Sequence, residues 1–372
     1  MKYRSVAKTN IRVSEVGFGL WGIATSQWRR FTESEATGLL QKAFGLGITL
    51  FETGDLFGNG ISEELLGKAL RNRRDDIVIA TKVGYDIYDY ARRNQVFRPR
   101  LREIPQIFSP EFIRYSVDQS LRRLQTDRID FLELHNPGWH QVNDEYLWEV
   151  LDNLQREGKI LHVGAALGPG FGWLYEGIDF IQRREPALLQ LPYNLLEQYP
   201  GNRLFAAAYS KLPHSEAEAE DLPEFKHGRM NSDPAFRTSF LVRATHSNGF
   251  LDGSVTASTV FPASDPRSRR SNPALEQGLK KVEQLQFLTG RETGRTLGQS
   301  ALLWLLAEPA VASCLPTIHN EEQLLEYTTA PERNALTRQE LAHIQELYVA
   351  HFGLKDEKQK YNGTMARELA RL

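Results

Sequence analysis

With 372 residues the chain has room for one large barrel or two ordinary domains, and its formal charge of −2 argues against a nucleic-acid groove or an anionic membrane surface as main partner. Cys314 is the single cysteine, which excludes an intrachain disulfide and a cysteine-rich metal site. The opening Met1-Lys2-Tyr3-Arg4-Ser5 lacks a signal-peptide core and no apolar run approaches the roughly 18 residues of a spanning helix, so the sequence predicts a soluble, cytoplasmic protein without membrane insertion.

Residues 13–20 read as a short apolar strand ending in Gly17-Phe18-Gly19-Leu20-Trp21-Gly22. That spacing fits a dinucleotide fingerprint, but Ile23-Ala24-Thr25-Ser26-Gln27-Trp28 is a poor helix start, and the fingerprint needs a helix N-terminus for pyrophosphate. Two readings stay open: a barrel strand whose glycines let a ligand approach the backbone, and a glycine-rich strand end with no ligand. Thr32-Glu33-Ser34-Glu35 is a capping box ahead of a helical apolar spacing over 36–45. A buried strand over 48–51 leads into the polar turn 52–58 and a helix opened at Ser62, with Glu63 and Glu64 in its first turn.

A third strand covers 77–82, and Ser109-Pro110-Glu111 opens the next helix. Strands over 129–134, 160–165, 187–191, 240–242 and 311–315 follow, separated by helices over 144–156, 173–184 and 296–307. Asn320 and Thr337 cap two last helices. Strands and helices that alternate in this way predict a parallel α/β architecture. Polar residues at the ends of many strands, rather than at one crevice, favour a closed (β/α)8 TIM barrel over an open doubly wound sheet.

The turn Glu52-Thr53-Gly54-Asp55-Leu56-Phe57-Gly58, running on into Ser62-Glu63-Glu64-Leu65-Leu66-Gly67, resembles the aldo-keto reductase signature Asp-Thr-Ala-x-x-Tyr-Gly followed by Ser-Glu-x-x-Leu-Gly. The likeness extends to Ala80-Thr81-Lys82 and Leu132-Glu133-Leu134-His135 and runs from about Ser14 to Phe352. It implies one barrel domain over 1–352, interrupted by a lid-like insert at 84–108, a polar insert at 211–234 and an irregular loop at 253–273, with a charged tail at 353–372. Glu216, Glu218, Glu220, Asp221 and Glu224 make the polar insert a solvated loop or an acidic docking site for a protein partner.

Glu52, Lys82, His135, Gln190 and Arg243 each close a different apolar strand. Singly, a snorkelling lysine, a satisfied core histidine or a turn-capping glutamate would be ordinary. Parallel strands, however, bring all their ends to one face. The resemblance implies hydride transfer from NADPH to a carbonyl carbon, with a tyrosine as proton donor, a lysine–acid pair that acidifies it, and a histidine that orients the carbonyl. Lys82 and His135 match their roles, Glu52 is a longer version of the family's aspartate, and Phe57 replaces the tyrosine. A lid tyrosine such as Tyr85, or His135 itself, is the candidate replacement donor.

The resemblance also places cofactor contacts at Gln190, Arg243, Pro316, Thr317, Gln323 and Glu326. Where relatives bind the nicotinamide amide through Ser and Asn side chains, this chain has Ala166 and Leu167. The resemblance implies NADP(H) as cofactor with NAD(H) as the alternative, and Thr317 and Gln323, in place of the basic residues, weaken the 2′-phosphate grip that favours NADP over NAD. Arg267, Arg269 and Arg270 form either a phosphate-holding cluster or a solvated loop. The sequence carries no metal-site, P-loop or cysteine-pair motif. Three functions remain in order of support: an oxidoreductase on a small-molecule carbonyl, a non-redox lyase or isomerase using Glu52, Lys82 and His135 on an acidic substrate, and a nucleotide-sensing or partner-binding subunit.

Overall fold

A computed structural model of the chain describes residues 1–25, 30–89, 104–168, 173–209, 236–261, 265–269 and 272–354. The stretch 90–103 of the lid-like insert, the polar insert 211–234, Arg270 with parts of the 253–273 loop, and the tail from 355 lie outside the described residues.

An antiparallel hairpin, β1 (Tyr3–Ser5) on β2 (Arg12–Ser14), opens the chain. The eight strands of the second sheet are β3 (Phe18–Gly19), β4 (Leu50–Glu52), β5 (Val78–Val83), β6 (Ile129–His135), β7 (Ile160–Ala166), β8 (Leu188–Pro192), β9 (Ser239–Arg243) and β10 (Val311–Leu315). They neighbour one another in chain order, every pair parallel. The ring closes just before β3: Gly17 N–H donates to the Cys314 carbonyl at 2.9 Å, and Cys314 N–H donates to the Glu15 carbonyl at 2.9 Å. The fold is the expected (β/α)8 barrel.

The stretch read as one strand over 13–20 is broken after Ser14. Its hydroxyl donates to the Val16 carbonyl at 2.7 Å and accepts from Thr49 N–H at 3.1 Å. A side chain bonded to nearby backbone turns the chain, so Arg12–Ser14 joins the hairpin and Phe18–Gly19 joins the barrel. The hairpin covers the N-terminal end of the ring. Val6 and Val13 pack with Leu50, Ala80, Phe131 and Leu241 inside the barrel, and Arg4 bonds Glu15 at 2.7 Å and the Val311 carbonyl at 2.9 Å. Chemistry is thereby left to the opposite, C-terminal end.

Helices wrap the ring, and their starts follow local side-chain chemistry. Capping boxes form at Thr32–Glu35, Thr296–Gln299 and Thr337–Glu340, while Ser109 caps Pro110–Leu124 and Asp144 caps Glu145–Arg156. Ser62 departs from its predicted role. Helix Ile61–Leu70 is capped two residues earlier, at Gly60 with φ of 94°, and Ser62 lies inside its first turn. The Ser62 hydroxyl donates to the Gly54 carbonyl at 3.0 Å and accepts from Thr53 at 2.7 Å, fastening helix to turn. Helices Gly201–Tyr209 and Asn272–Glu283 went unanticipated. Among the described residues no helix is long and apolar enough to cross a membrane.

Candidate active site

Alternation along each strand decides which side chains point into the barrel. Lys82 on β5 lies beside Glu133 on β6, and Glu133 beside Gly164 on β7. At Gly164 a side chain would collide with the Leu188 carbonyl, its Cβ approaching to 2.4 Å. Glu52 ends β4, His135 ends β6, Gln190 sits on β8 and Arg243 ends β9.

Lys82 is only 2% exposed. It pairs with Glu52, donates to the Thr53 carbonyl at 2.9 Å, and stands 3.3 Å from a Glu133 oxygen. Glu52 and Thr53 take two of the three donors an ammonium has to offer, and Glu133 adds a second negative charge beside it. Glu52 also accepts from the Gln190 side-chain amide at 3.0 Å, leaving the buried Gln190 Oε1 without a hydrogen bond. Glu133 is fully buried and neither of its oxygens is hydrogen-bonded. Burial pushes its carboxyl up to about 7, Lys82 pulls against that, and the charge on Glu52 adds to it. Arg243 donates to the Leu167 carbonyl at 3.0 Å; burial lowers its pKa, and Glu52 and Glu133 oppose the shift.

Phe57 projects from the turn after β4, with its ring centroid 4.8 Å from the Lys82 nitrogen. A ring face toward an ammonium is a favourable contact, but it supplies no proton. Its edges meet Trp21 at 4.9 Å and His135 at 6.3 Å between centroids. His135 Nδ1 is buried without a hydrogen bond, and burial, with Lys82 and Arg243 nearby, holds the imidazole well below its ordinary pKa. It is a neutral ring at pH 7.

Of the expected site residues, Glu52, Lys82, His135, Phe57 and Gln190 gather at this mouth, with Arg243 electrostatically coupled to the two glutamates. Pro316, Thr317, Gln323 and Glu326 lie elsewhere, after β10 and along helix Glu321–Thr328. Pro316 is buried, and Thr317 comes within 3.4 Å of the Cβ position of Gly22. Gln323 accepts from His319 N–H at 2.9 Å, and Glu326 accepts from the Thr296 hydroxyl at 2.5 Å. Glu326 also borders a cavity of about 530 Å³ with Asp252, Phe250 and Leu297. Arg267 is paired to Asp265 at 2.7 Å, which commits its charge to the loop.

Sequence reasoning passed over two buried acids. Glu133 left a signal, since a charged residue flanked by Leu132 and Leu134 in a buried strand needs a partner. Asp55 left none, because a turn aspartate ordinarily faces water; here it is fully buried, and burial followed by repulsion from Glu63 raises its pKa well above the usual range. Glu63, itself buried, holds Arg123 at 2.7 Å and Thr81 at 2.6 Å beneath the turn.

Fold and site together define a barrel whose mouth holds a buried acid–lysine pair beside a neutral histidine. The chain belongs to the aldo/keto reductase family, whose profile matches residues 15–211 and 239–349, and is an oxidoreductase of that family. Aldo-keto reductase YhdN of Bacillus subtilis (strain 168) is 30% identical over 315 residues, covering 83% of this chain and 82% of that one. The holo form of aldo-keto reductase AKR11C1 from Bacillus halodurans superposes with a TM-score of 0.66 at 26% identity, over 93% of this chain and 96% of that one. The glycerol dehydrogenase AKR11B4 from Gluconobacter oxydans gives a TM-score of 0.70 over 96% and 98% of the chains at 22% identity, a likeness of fold.

Proposed function

We propose that the chain is an NAD(P)H-dependent oxidoreductase that reduces the carbonyl of a small molecule, with a catalytic group altered at Glu52 and Phe57. The observation that carries this reading is the gathering of Glu52, Lys82 and His135 around one barrel mouth. The residues present fit a nicotinamide in part. Gln190 Oε1 is a buried acceptor without a partner, suited to a carboxamide N–H, and the Arg243 guanidinium offers a planar face. Glu326 borders a cavity suited to an adenosine. Thr317 and Gln323 carry no charge, so NADP(H) is held without the basic grip and NAD(H) is the alternative.

A bound reduced nicotinamide would supply hydride. The His135 imidazole, neutral and buried, would then orient the carbonyl oxygen by a hydrogen bond. Lys82 and Arg243 would stabilise the negative charge growing on that oxygen. The aromatic wall of Trp21, Phe57 and Tyr85 would exclude water and favour an apolar substrate. The non-redox alternative asks Lys82 to act as a free base, and its three partners weigh against that role. Titration calorimetry with NADPH and NADH, followed by turnover on simple aldehydes, tests the proposal. Absence of binding at high micromolar cofactor overturns it in favour of a partner-binding subunit.

A further inference from the structure

Carbonyl reduction needs a proton, and the residues of the family's catalytic group do not release one here. Phe57 is hydrocarbon. Lys82 donates to Glu52 and to the Thr53 carbonyl, is ion-paired with Glu133, and has the Phe57 ring against it. His135 is neutral, so giving up a proton would leave an imidazolate. Tyr88 faces outward: it accepts from Arg123 at 3.2 Å and packs on Phe112 and Tyr115. The stronger charged neighbours of Asp55, Glu63 and Arg123, sit on the outer helices Ile61–Leu70 and Pro110–Leu124, with Lys82 the weakest of the three.

Tyr85 is placed differently. It follows β5 closely and is 2% exposed, its ring edge-on to His135 with centroids 5.0 Å apart. Its position is pinned because both ends of the insert pair as a short ribbon: Asp86 N–H donates to the Pro105 carbonyl at 2.8 Å and Ile107 N–H to the Gly84 carbonyl at 2.9 Å. Gly84 has a φ of 132° and Phe108 lies 2.6 Å from its Cβ position, so no other residue fits that bend. The Tyr85 oxygen accepts from the Asn136 side-chain amide at 3.1 Å. Asn136, next after His135, holds a φ of 53°. Among the described residues the hydroxyl has no second partner, so its own proton is unspent.

We propose that Tyr85 is the proton donor of this site, replacing the phenol absent at position 57; this rests on the carbonyl-reductase reading above. As hydride bonds to the carbonyl carbon, the C=O π pair moves to oxygen, and that oxygen takes the Tyr85 proton. The products are an alcohol, an oxidised nicotinamide and a tyrosinate. Asn136 N–H stabilises the tyrosinate until water returns a proton to it. Burial keeps the free phenol protonated through neutrality.

Tyr85→Phe removes the hydroxyl and keeps the ring that packs on His135. Its kcat for aldehyde reduction should fall about 10²–10⁴-fold while the cofactor Kd stays within about twofold. Adding Phe57→Tyr to Tyr85→Phe should restore at least tenfold. In the cofactor-free protein, Tyr85→Phe should weaken binding of benzamide, an unreactive carbonyl, about fivefold. A Tyr85→Phe enzyme that keeps more than half the wild-type kcat overturns the assignment and leaves the carbonyl-reductase reading intact. A wild-type protein that binds no nicotinamide overturns both. Should Tyr85→Phe fail to fold, Asn136→Gly, which keeps the left-handed turn and removes the side-chain amide, carries the same question: loss of kcat at unchanged cofactor Kd supports the assignment, and an unchanged kcat refutes it.

Discussion

Glu133→Gln should stabilise the protein at alkaline pH and leave it unchanged in acid. The Glu133 carboxyl has lost its water, gains no hydrogen bond, and has Lys82 at 3.3 Å as its compensating charge, shared with Glu52. Its folded pKa of about 7 stands above the ordinary 4.5. For an acid with a raised folded pKa the sign is unfavourable. Below 4.5 both states hold the proton and nothing is lost; between 4.5 and about 7 the unfolded chain releases it first, and the penalty grows; above about 7 it is constant. About two and a half pH units at 1.36 kcal/mol each set a ceiling of roughly 3 kcal/mol. Glutamine keeps the shape and removes the charge, and the attraction to Lys82 that it forfeits is already contained in the value of about 7. Urea denaturation of both proteins at pH 5 and pH 8 measures the gain. A stability difference that does not grow with pH would refute the shared-lysine argument.

Lys82→Met leaves Glu52 and Glu133 buried without their ion-pair partner and with Arg243 as the remaining nearby cation, and stability at pH 7.5 should drop by about 3–5 kcal/mol. Because Lys82 is what pulls the Glu133 carboxyl down to about 7, the variant takes up that proton at a higher pH, and the loss should be larger at pH 9 than at pH 6, which thermal melts at those two pH values would reveal. Thr317→Lys with Gln323→Arg should lower the NADPH Kd about tenfold or more and move the NADH Kd less than twofold, read by fluorescence quenching. Equal shifts for both cofactors would mean that these positions do not meet the 2′-phosphate.

The barrel was legible because its strands are nearly continuous apolar runs and its helices carry explicit caps at Thr32, Ser109, Thr296 and Thr337. Short elements were not. Tyr3–Ser5 is too brief to show a period, and the hairpin exists because Arg4 reaches carbonyls more than 300 positions away in sequence, at Glu308 and Val311. Ser62 misled for a local reason: a serine ahead of two acids resembles a cap, yet Gly60 alone tolerates the left-handed turn that starts the helix. At the site, ends of strands could be read because register puts them on one rim. The sharing of one lysine by two carboxylates could not, since Lys82 on β5 lies in register with Glu133 of β6 but must reach back to Glu52, which pairs with Ala80 two positions earlier.

That sharing bears on the hydrocarbon at position 57. A lysine acidifies a nearby phenol through its unspent positive charge, and here Glu133 draws on that charge in addition to Glu52. A tyrosine restored at 57 would therefore meet a partly neutralised lysine, and Phe57 and Glu133 behave as a matched pair. With Tyr85→Phe throughout, so that position 57 supplies the donor, Phe57→Tyr should raise aldehyde reduction about tenfold at pH 8, where Glu133 is charged, against the 10²–10⁴ expected of an unimpeded general acid. In the Glu133→Gln background the same substitution should gain about ten times more, and lowering the pH through about 7, which neutralises Glu133, should raise the gain with Glu133 in place in the same direction. Steady-state kcat across the four proteins of this cycle isolates the coupling. Equal gains in both backgrounds would show that Glu133 does not reach position 57 through Lys82.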